Sequence, residues 1–516
     1  MNQLVSGIFG AGLTLSIYFA LHQYVSVIRW PTLGLSDRVL TIAAICVVVG
    51  FIGAGILYAF RHWFKRSKDM IVLTSLALFV VSLSPLRQVR GPDGDVPHYL
   101  AAARYFAMTG SFENVDAYHG REHVKFFLPY AEIWELPDRR VVENVDGVQQ
   151  FFYSVLLPVI AAPFSMYKPE MSFFLVHALL IYLGFLLVWR LPGSVLPPWQ
   201  KGVLMGCSPV VFFTAQPYPD SLAFFLVAVG LWAVLSRKLV MLGLMSALLI
   251  WAKPPYLVIG AFLMAQAVFS YQLWNRSNRS ELILLCTLPI LSYLGLSAYN
   301  LHSWGAFTIT ANYGNVSNHI SLNHLDMLPR FFFSFAGGIF WIWPFFIHLC
   351  SGPVLERIIR NRDIVLLFLG SLGYVFLVGI NSGESGWAPR GRYFLPVLPI
   401  FLYLIQTRVP KISPVLIVFA VSSATICTVL PQGMLPWGDL NAPFSILTYS
   451  NVIGEWGGIP FKGALYTQLA KHNSLISWVG FILMTGFAVV GLCKQFGLLG
   501  MRRSSGSKSL QKSEFT

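Results

Sequence analysis

The chain has 516 residues, of which 56% are hydrophobic and 11% charged, against about 25% charged in an ordinary soluble domain. One soluble core cannot absorb that much apolar surface, so the composition excludes a simple water-soluble globule. The formal net charge of +14 does not indicate a nucleic-acid partner, because the Lys and Arg residues form short clusters between apolar segments rather than one basic face.

Apolar stretches long enough to cross a bilayer, about 20 residues each, recur along the whole chain. The predicted spans are 5–27, 39–60, 70–86, 171–189, 202–217, 221–235, 239–252, 256–272, 282–299, 331–349, 364–380, 393–406, 414–430 and 476–493. The expected fold is therefore an all-α polytopic membrane protein of about fourteen transmembrane helices. The first span has no basic region before it and no small-residue cleavage site after it, so it reads as a retained helix. All six cysteines lie in or beside apolar segments without CxxC spacing and read as plain buried or lipid-facing thiols.

Positive charge in short loops is retained on the cytoplasmic side. Placing Arg61, Lys65, Arg66 and Lys68 inside makes the later inside loops carry Arg190 and Lys201, Arg237 and Lys238, Arg276 and Arg279, Arg357, Arg360 and Arg362, and Arg408 and Lys411. Both termini are then cytoplasmic, and the basic tail 494–516 is expected to be disordered. The alternation requires the apolar stretch 151–167 not to cross; its two prolines and flanking aromatics suit an interfacial helix. The organisation expected is an N-terminal helix pair over 1–69, a core over 70–410 with an outer loop 87–170, and C-terminal helices over 411–493 with an outer loop 431–475.

Long outer loops are where function is expected. The first opens with Gly91-Pro92-Asp93-Gly94-Asp95-Val96-Pro97-His98-Tyr99. Its two carboxylates either cap the helix that follows or supply a general base that deprotonates a hydroxyl. A metal pair formed with other acidic residues is a further alternative at that point. Gln216-Pro217-Tyr218-Pro219-Asp220 breaks the chain between two spans and brings a carboxylate to the same face. Asp220 is expected at the rim or in a polar cavity, because a charge at mid-membrane costs about 2.5–3.5 kcal/mol. Lys253, in Trp251-Ala252-Lys253-Pro254-Pro255, lies at a similar break, where snorkelling explains it equally well.

Arg390 and Arg392 follow Glu384 in Glu384-Ser385-Gly386-Trp387-Ala388-Pro389-Arg390-Gly391-Arg392-Tyr393. They fall on the outer side, against the trend elsewhere. A phosphate at the outer surface gives guanidinium groups a partner, as does a lipid headgroup. Aromatic and amide residues such as Tyr299, Asn300, Asn312 and Tyr313 suit either a sugar or an interfacial aromatic belt.

Taken in order, these blocks resemble the GT-C superfamily of membrane glycosyltransferases, in particular the bacterial aminoarabinose, mannosyl and arabinosyl transferase group. Asp93 to Leu100 is similar to the G-D-E-P-H-Y-L form, and Phe213 to Asp220 to a Y-x-x-x-x-Y-P-E/D segment. Tyr299-Asn300 to Tyr313 is similar to a Y-N-x-x-x-F-G-x-P loop, and Trp387 to Pro396 to a W-x-P-R-x-L-x-P block. The resemblance covers most of residues 70–410 and implies a bacterial inner-membrane enzyme with a periplasmic active site.

It further implies a polyprenyl-phosphate-linked sugar donor and a glycan, lipid or protein acceptor. Asp95 would be the base and Asp93 its reserve. Arg390, Arg392 and Lys253 would hold the donor phosphate. His98, Tyr99, Tyr218, Asp220, Tyr313 and Glu384 would contact substrate. Val96 stands where many members carry a second acidic residue, so no divalent metal and no other cofactor is expected. A secondary transporter, a lipid-linked glycan flippase and a ligase are the competing classes.

Overall fold

The computed structural model describes residues 96–112, 141–147, 149–151, 154–165, 169–214, 218–275, 278–311, 327–333, 339–381 and 390–429, with isolated helical residues between 72 and 80 and between 482 and 490. The expected spans 5–27 and 39–60, the loop 431–475 and the tail 494–516 lie outside the described residues. Most of what is described is helical. Two helical stretches, Pro254–Tyr271 and Arg279–Trp304, are long and apolar enough to cross a membrane.

Helix α1 (Val96–Thr109) packs against α2 (Leu156–Ser165). At 10 residues, α2 extends about 15 Å, half the ~30 Å hydrocarbon thickness. Between these helices lies a small antiparallel hairpin, β1 (Val141–Glu143) with β2 (Gln149–Phe151), in register Val141 to Phe151 and Glu143 to Gln149. It was not expected from the sequence. Asn144 Oδ1 accepts the Asp146 N–H at 3.0 Å, forming a side-chain turn that Gly147 completes at φ +73°.

The central bundle runs through α3 (Pro169–Arg190), α4 (Pro198–Gly206), α5 (Pro219–Leu235), α6 (Leu239–Ala252), α7 (Leu257–Tyr271) and α8 (Arg279–Trp304). Short segments α9 (Met327–Phe333), α10 (Ile339–Ile342) and α11 (Gly352–Ile359) lead to α12 (Val365–Asn381), α13 (Leu398–Arg408) and α14 (Pro414–Val429). Helix α6 packs against α5, α7 and α8, α3 against α5, and α12 against α7.

Several helices match their expected limits to within a few residues, but two expected spans are not continuous. The stretch 202–217 is α4 followed by a separate 3-10 turn, Pro209–Phe213. Pro209 has no N–H to give the preceding turn, and its ring pushes Ser208 to an extended backbone, ψ 149°. The stretch 331–349 is likewise divided into α9, α10 and a 3-10 helix, Pro344–Cys350. There Pro344 starts the new segment. The expected span 393–406 begins as a 3-10 turn, Arg390–Val397, before α13.

Helices approach closely where glycine removes the side chain. A Cβ on Gly243 of α6 would lie 2.8 Å from the Leu285 carbonyl oxygen of α8, and one on Gly184 of α3 would lie 2.6 Å from the Phe224 ring of α5. Polar side chains fasten the same bundle. Gln266 of α7 accepts the Leu366 and Leu367 N–H groups at 3.0 and 3.3 Å, capping α12, and donates to the Arg362 carbonyl at 2.7 Å.

The bundle has two chemically different ends. At one end Arg237 pairs with Glu281 at 3.0 Å, Arg357 donates to the Arg408 carbonyl, Gln406 donates to the Val188 carbonyl, and Gln200 and Ile412 exchange two hydrogen bonds. The loops expected to be cytoplasmic, around Arg190, Lys201, Arg237, Arg279, Arg357, Arg362 and Arg408, thus gather there. The starts of α5, α7 and α13 lie at the other.

Candidate functional site

Prolines shape the local backbone at this second end. Pro219 occupies the first turn of α5, where a missing N–H costs nothing, and holds Tyr218 extended at φ −113°, ψ 155°. Asp220 follows in the first turn, where the helix N-terminus favours a carboxylate. Pro254 does the same at the α6 to α7 junction, leaving Lys253 extended at φ −169°, ψ 131°. Each break stops one helix and directs a charged side chain into the space between helices.

The two charges meet a third. Lys253 Nζ lies 3.7 Å from Asp220 Oδ1, and Arg392 Nε lies 3.2 Å from Asp220 Oδ2. The Tyr256 hydroxyl donates to Asp220 Oδ1 at 2.6 Å. Asp220 is wholly buried, and the Arg392 and Lys253 side chains are 7% and 17% exposed. Asp220 Oδ2 accepts no hydrogen bond among the described residues, so its contact with Arg392 is an ion pair without hydrogen-bond alignment.

Tyrosine rings line the cluster. The Arg392 guanidinium lies 4.5 Å from the Tyr218 ring centre and 4.9 Å from that of Tyr393, and Lys253 Nζ lies 4.7 Å from that of Tyr393. These are cation–π distances. Arg392 also donates to the Tyr393 hydroxyl at 3.2 Å. The ring of Tyr374 of α12 lies tilted beside that of Tyr256, with ring centres 6.2 Å apart.

Behind Asp220, the next residue is tied to α3. His177 Nε2 lies 2.6 Å from Ser221 Oγ, and His177 Nδ1 lies 3.0 Å from the Thr214 carbonyl oxygen. Both His177 and Ser221 are buried.

The structure therefore joins residues from three separate blocks of the sequence: Tyr218 with Asp220, Lys253, and Arg392. Of the two settings expected for Asp220, the rim or a polar cavity, the structure shows a buried carboxylate among polar partners, Lys253, Arg392 and Tyr256. Tyr99 is buried in the main hydrophobic cluster, a position that suits packing rather than substrate contact. His98 lies in α1 and Arg390 in the turn before α13, but neither side chain belongs to what the structure describes. Asp93, Asp95, Tyr313 and Glu384 lie outside the described residues.

Sequence reasoning missed Tyr256, Tyr374, Tyr393 and His177. Tyr256 and Tyr393 each adjoin a residue already singled out, in Lys253-Pro254-Pro255-Tyr256 and Arg392-Tyr393, and that adjacency was the available signal. Tyr374 and His177 lie within apolar helices with no pattern to mark them. Among the described residues, no group of three or more His, Cys, Asp or Glu side chains is placed to hold a metal ion.

Comparison with protein-family models, with curated proteins and with solved structures returned no match for this chain.

Proposed function

We propose that the chain is a polytopic membrane glycosyltransferase that moves a sugar from a polyprenyl-phosphate donor to a hydroxyl of a glycan, lipid or protein acceptor. The observation that carries this reading is the buried Asp220, Lys253 and Arg392 cluster at the end of the bundle opposite the basic loops. Lys253 and Arg392 both contact the one carboxylate of Asp220. Taking each ion out of water costs several kcal/mol, so two costly cations are held side by side at this end of the bundle. A phosphate fits, because guanidinium and ammonium groups bind its oxygens through charge-assisted hydrogen bonds.

The membrane reading is supported by the way α8 is turned. Its exposed residues include Ile283, Leu284, Ile290, Leu291 and Leu294, whereas Ser297, Asn300 and Ser303 are buried. In water that arrangement leaves a wide apolar face uncovered. In lipid it matches the solvent on each side. Close approach at glycine is likewise a feature of helix packing in membranes.

In this reading the phosphate end faces the periplasm and the basic end the cytoplasm, in the sense of positive charge retained inside. Arg392 and Lys253, with Arg390, hold the donor phosphate, and Asp95 takes the proton from the acceptor hydroxyl as the glycosidic bond forms. The oxygen of that hydroxyl attacks the anomeric carbon, and the bond to the donor phosphate breaks to release polyprenyl phosphate. Asp220 serves as the counter-ion that keeps both cations in place. Neither a metal nor another cofactor enters this scheme. A carrier would instead place its ionisable residues near the bilayer midplane, whereas Asp220 and Lys253 lie at helix ends.

The test is a strain lacking the gene, with polyprenyl-phosphate sugars measured by mass spectrometry. One such lipid should accumulate and be cleared by the wild-type chain, but not by Asp95→Asn or Arg392→Ala variants that insert normally. Clearance by Asp95→Asn would remove that residue as the base. The absence of any accumulating lipid would count against the transferase itself.

A further inference from the structure

We propose that His177, acting through Ser221, is a positioning residue for the Asp220, Lys253 and Arg392 cluster; its consequence for ligand binding rests on the phosphate-site reading above. A carbonyl oxygen can only accept, so His177 Nδ1, at 3.0 Å from the Thr214 carbonyl, carries the proton in the neutral ring. Nε2 is then an acceptor, and the Ser221 hydroxyl at 2.6 Å donates to it.

With its proton given to His177, Ser221 Oγ is free to accept the Tyr218 N–H at 3.3 Å. The Tyr218 carbonyl, 2.9 Å from Ser221 Oγ, competes for the same proton, so the imidazole decides which way the hydroxyl points. A side chain of the first helical turn reaching back to the residue before it is one half of a capping box. It fixes how the chain enters α5.

Two groups touching Arg392 depend on that entry. Tyr218 places its ring 4.5 Å from the guanidinium, and Asp220 places a carboxylate oxygen 3.2 Å from Nε. Ser221 is the neighbour of one and bonds to the backbone of the other. From the opposite side, Tyr256 and Lys253 hold Asp220 Oδ1. The start of α5 is thus clamped between α3 and the α6 to α7 junction, and His177 is the α3 half of that clamp.

The full chain in detergent micelles provides the test, with two measurements. Amide exchange over residues 214–224 reads the positioning itself without any ligand. His177→Leu and Ser221→Ala should each raise it about tenfold, the scale of one lost buried hydrogen bond. His177→Gln, which can still donate and accept, should restore part of the protection. The His177→Leu/Ser221→Ala double variant should exchange no faster than either single one, because the two residues act as one unit. Unchanged exchange, or losses that add, overturns the proposal.

Binding of geranylgeranyl monophosphate, followed by tryptophan fluorescence, reads the consequence for the site. The His177→Leu chain should bind this probe about tenfold more weakly at unchanged stoichiometry. Faster exchange with unaltered binding also overturns the proposal, because the clamp would then support only the fold. If the wild-type chain does not bind the probe, or Arg392→Met binds it as well as wild type, the phosphate reading fails. The exchange measurement then decides the positioning of Asp220 on its own.

Discussion

Asp220 serves three partners from a wholly buried position, so it is the residue on which the cluster depends most. Replacing it by Asn leaves two buried cations without their carboxylate, a loss that costs about 3–5 kcal/mol when one partner of a buried ion pair is removed. Asp220→Asn should therefore lower stability by about that amount, measured by SDS titration in mixed micelles. Adding Arg392→Met to Asp220→Asn should recover part of the loss, since one of the two cations that Asp220 contacts goes with it. A double variant less stable than Asp220→Asn would show that the two side chains are not coupled through charge. Tyr256→Phe removes only the hydroxyl that donates at 2.6 Å. It should cost about 1.5–3 kcal/mol, the value of a hydrogen bond to a charged acceptor. At this scale the sequence marked Asp220, Lys253 and Arg392 one by one, because each follows or precedes a proline or glycine break. It could not show that one carboxylate serves both cations, since that depends on how helices distant in sequence pack.

Helix ends and helix contacts account for how those residues are held. α5 ends with Lys238 N–H bonded to the Ala233 carbonyl and Arg237 N–H bonded to that of Val234, which places Arg237 in the left-handed region at φ 52°. That pattern usually takes glycine. Arg237 occupies it while its guanidinium pairs with Glu281 and lies 5.2 Å from the Tyr271 ring centre. α7 ends the same way, with Gln272 at φ 51° and Leu273 N–H on the Val268 carbonyl. These turns read well from sequence as polar interruptions between apolar runs. The breaks at Pro209 and Pro344 did not, because averaging hydropathy over about 20 residues passes over a proline set among Val, Phe and Leu. Glycines carry the contacts between helices. Gly243→Val would drive a side chain into the Leu285 carbonyl, which would lie 2.8 Å from even a Cβ, and a backbone atom cannot yield cheaply. A loss of about 1–3 kcal/mol is expected, the usual range for overpacking. Gly373→Ala is the control, since nothing lies within 4 Å of its added Cβ. It should be neutral or gain up to about 1 kcal/mol of helix propensity. Equal loss in both variants would mean that the α6 to α8 contact does not govern the outcome.

Among the described residues, charged side chains are sorted toward the two ends of the bundle. The basic end gathers Arg237, Arg357 and Arg408 through contacts between loops far apart in the chain, and the Asp220 cluster lies at the opposite helix ends. Charge alternation in the sequence anticipated this sorting, because it depends only on loop order and not on packing. The exposed flank of α8, with Ile283 67% exposed and Ser297 fully buried, is what a lipid-facing helix requires and what a water-facing one avoids. If the chain crosses the membrane in the sense proposed, the two ends must differ in access to a reagent that cannot cross it. Ser236, in the turn after α5, and Ala306, just beyond α8, are both exposed and lie at opposite ends. In a background without other reactive cysteines, Ala306→Cys should react with an impermeant maleimide added to spheroplasts. Ser236→Cys should react only after permeabilisation. The reverse pattern would turn the molecule over and place the Asp220 cluster on the cytoplasmic side. Labelling of both residues from outside would mean that α5 to α8 do not separate two compartments. A donor held at the Asp220 cluster would then have no bilayer between it and the basic loops, and the periplasmic transfer proposed here would lose its physical basis.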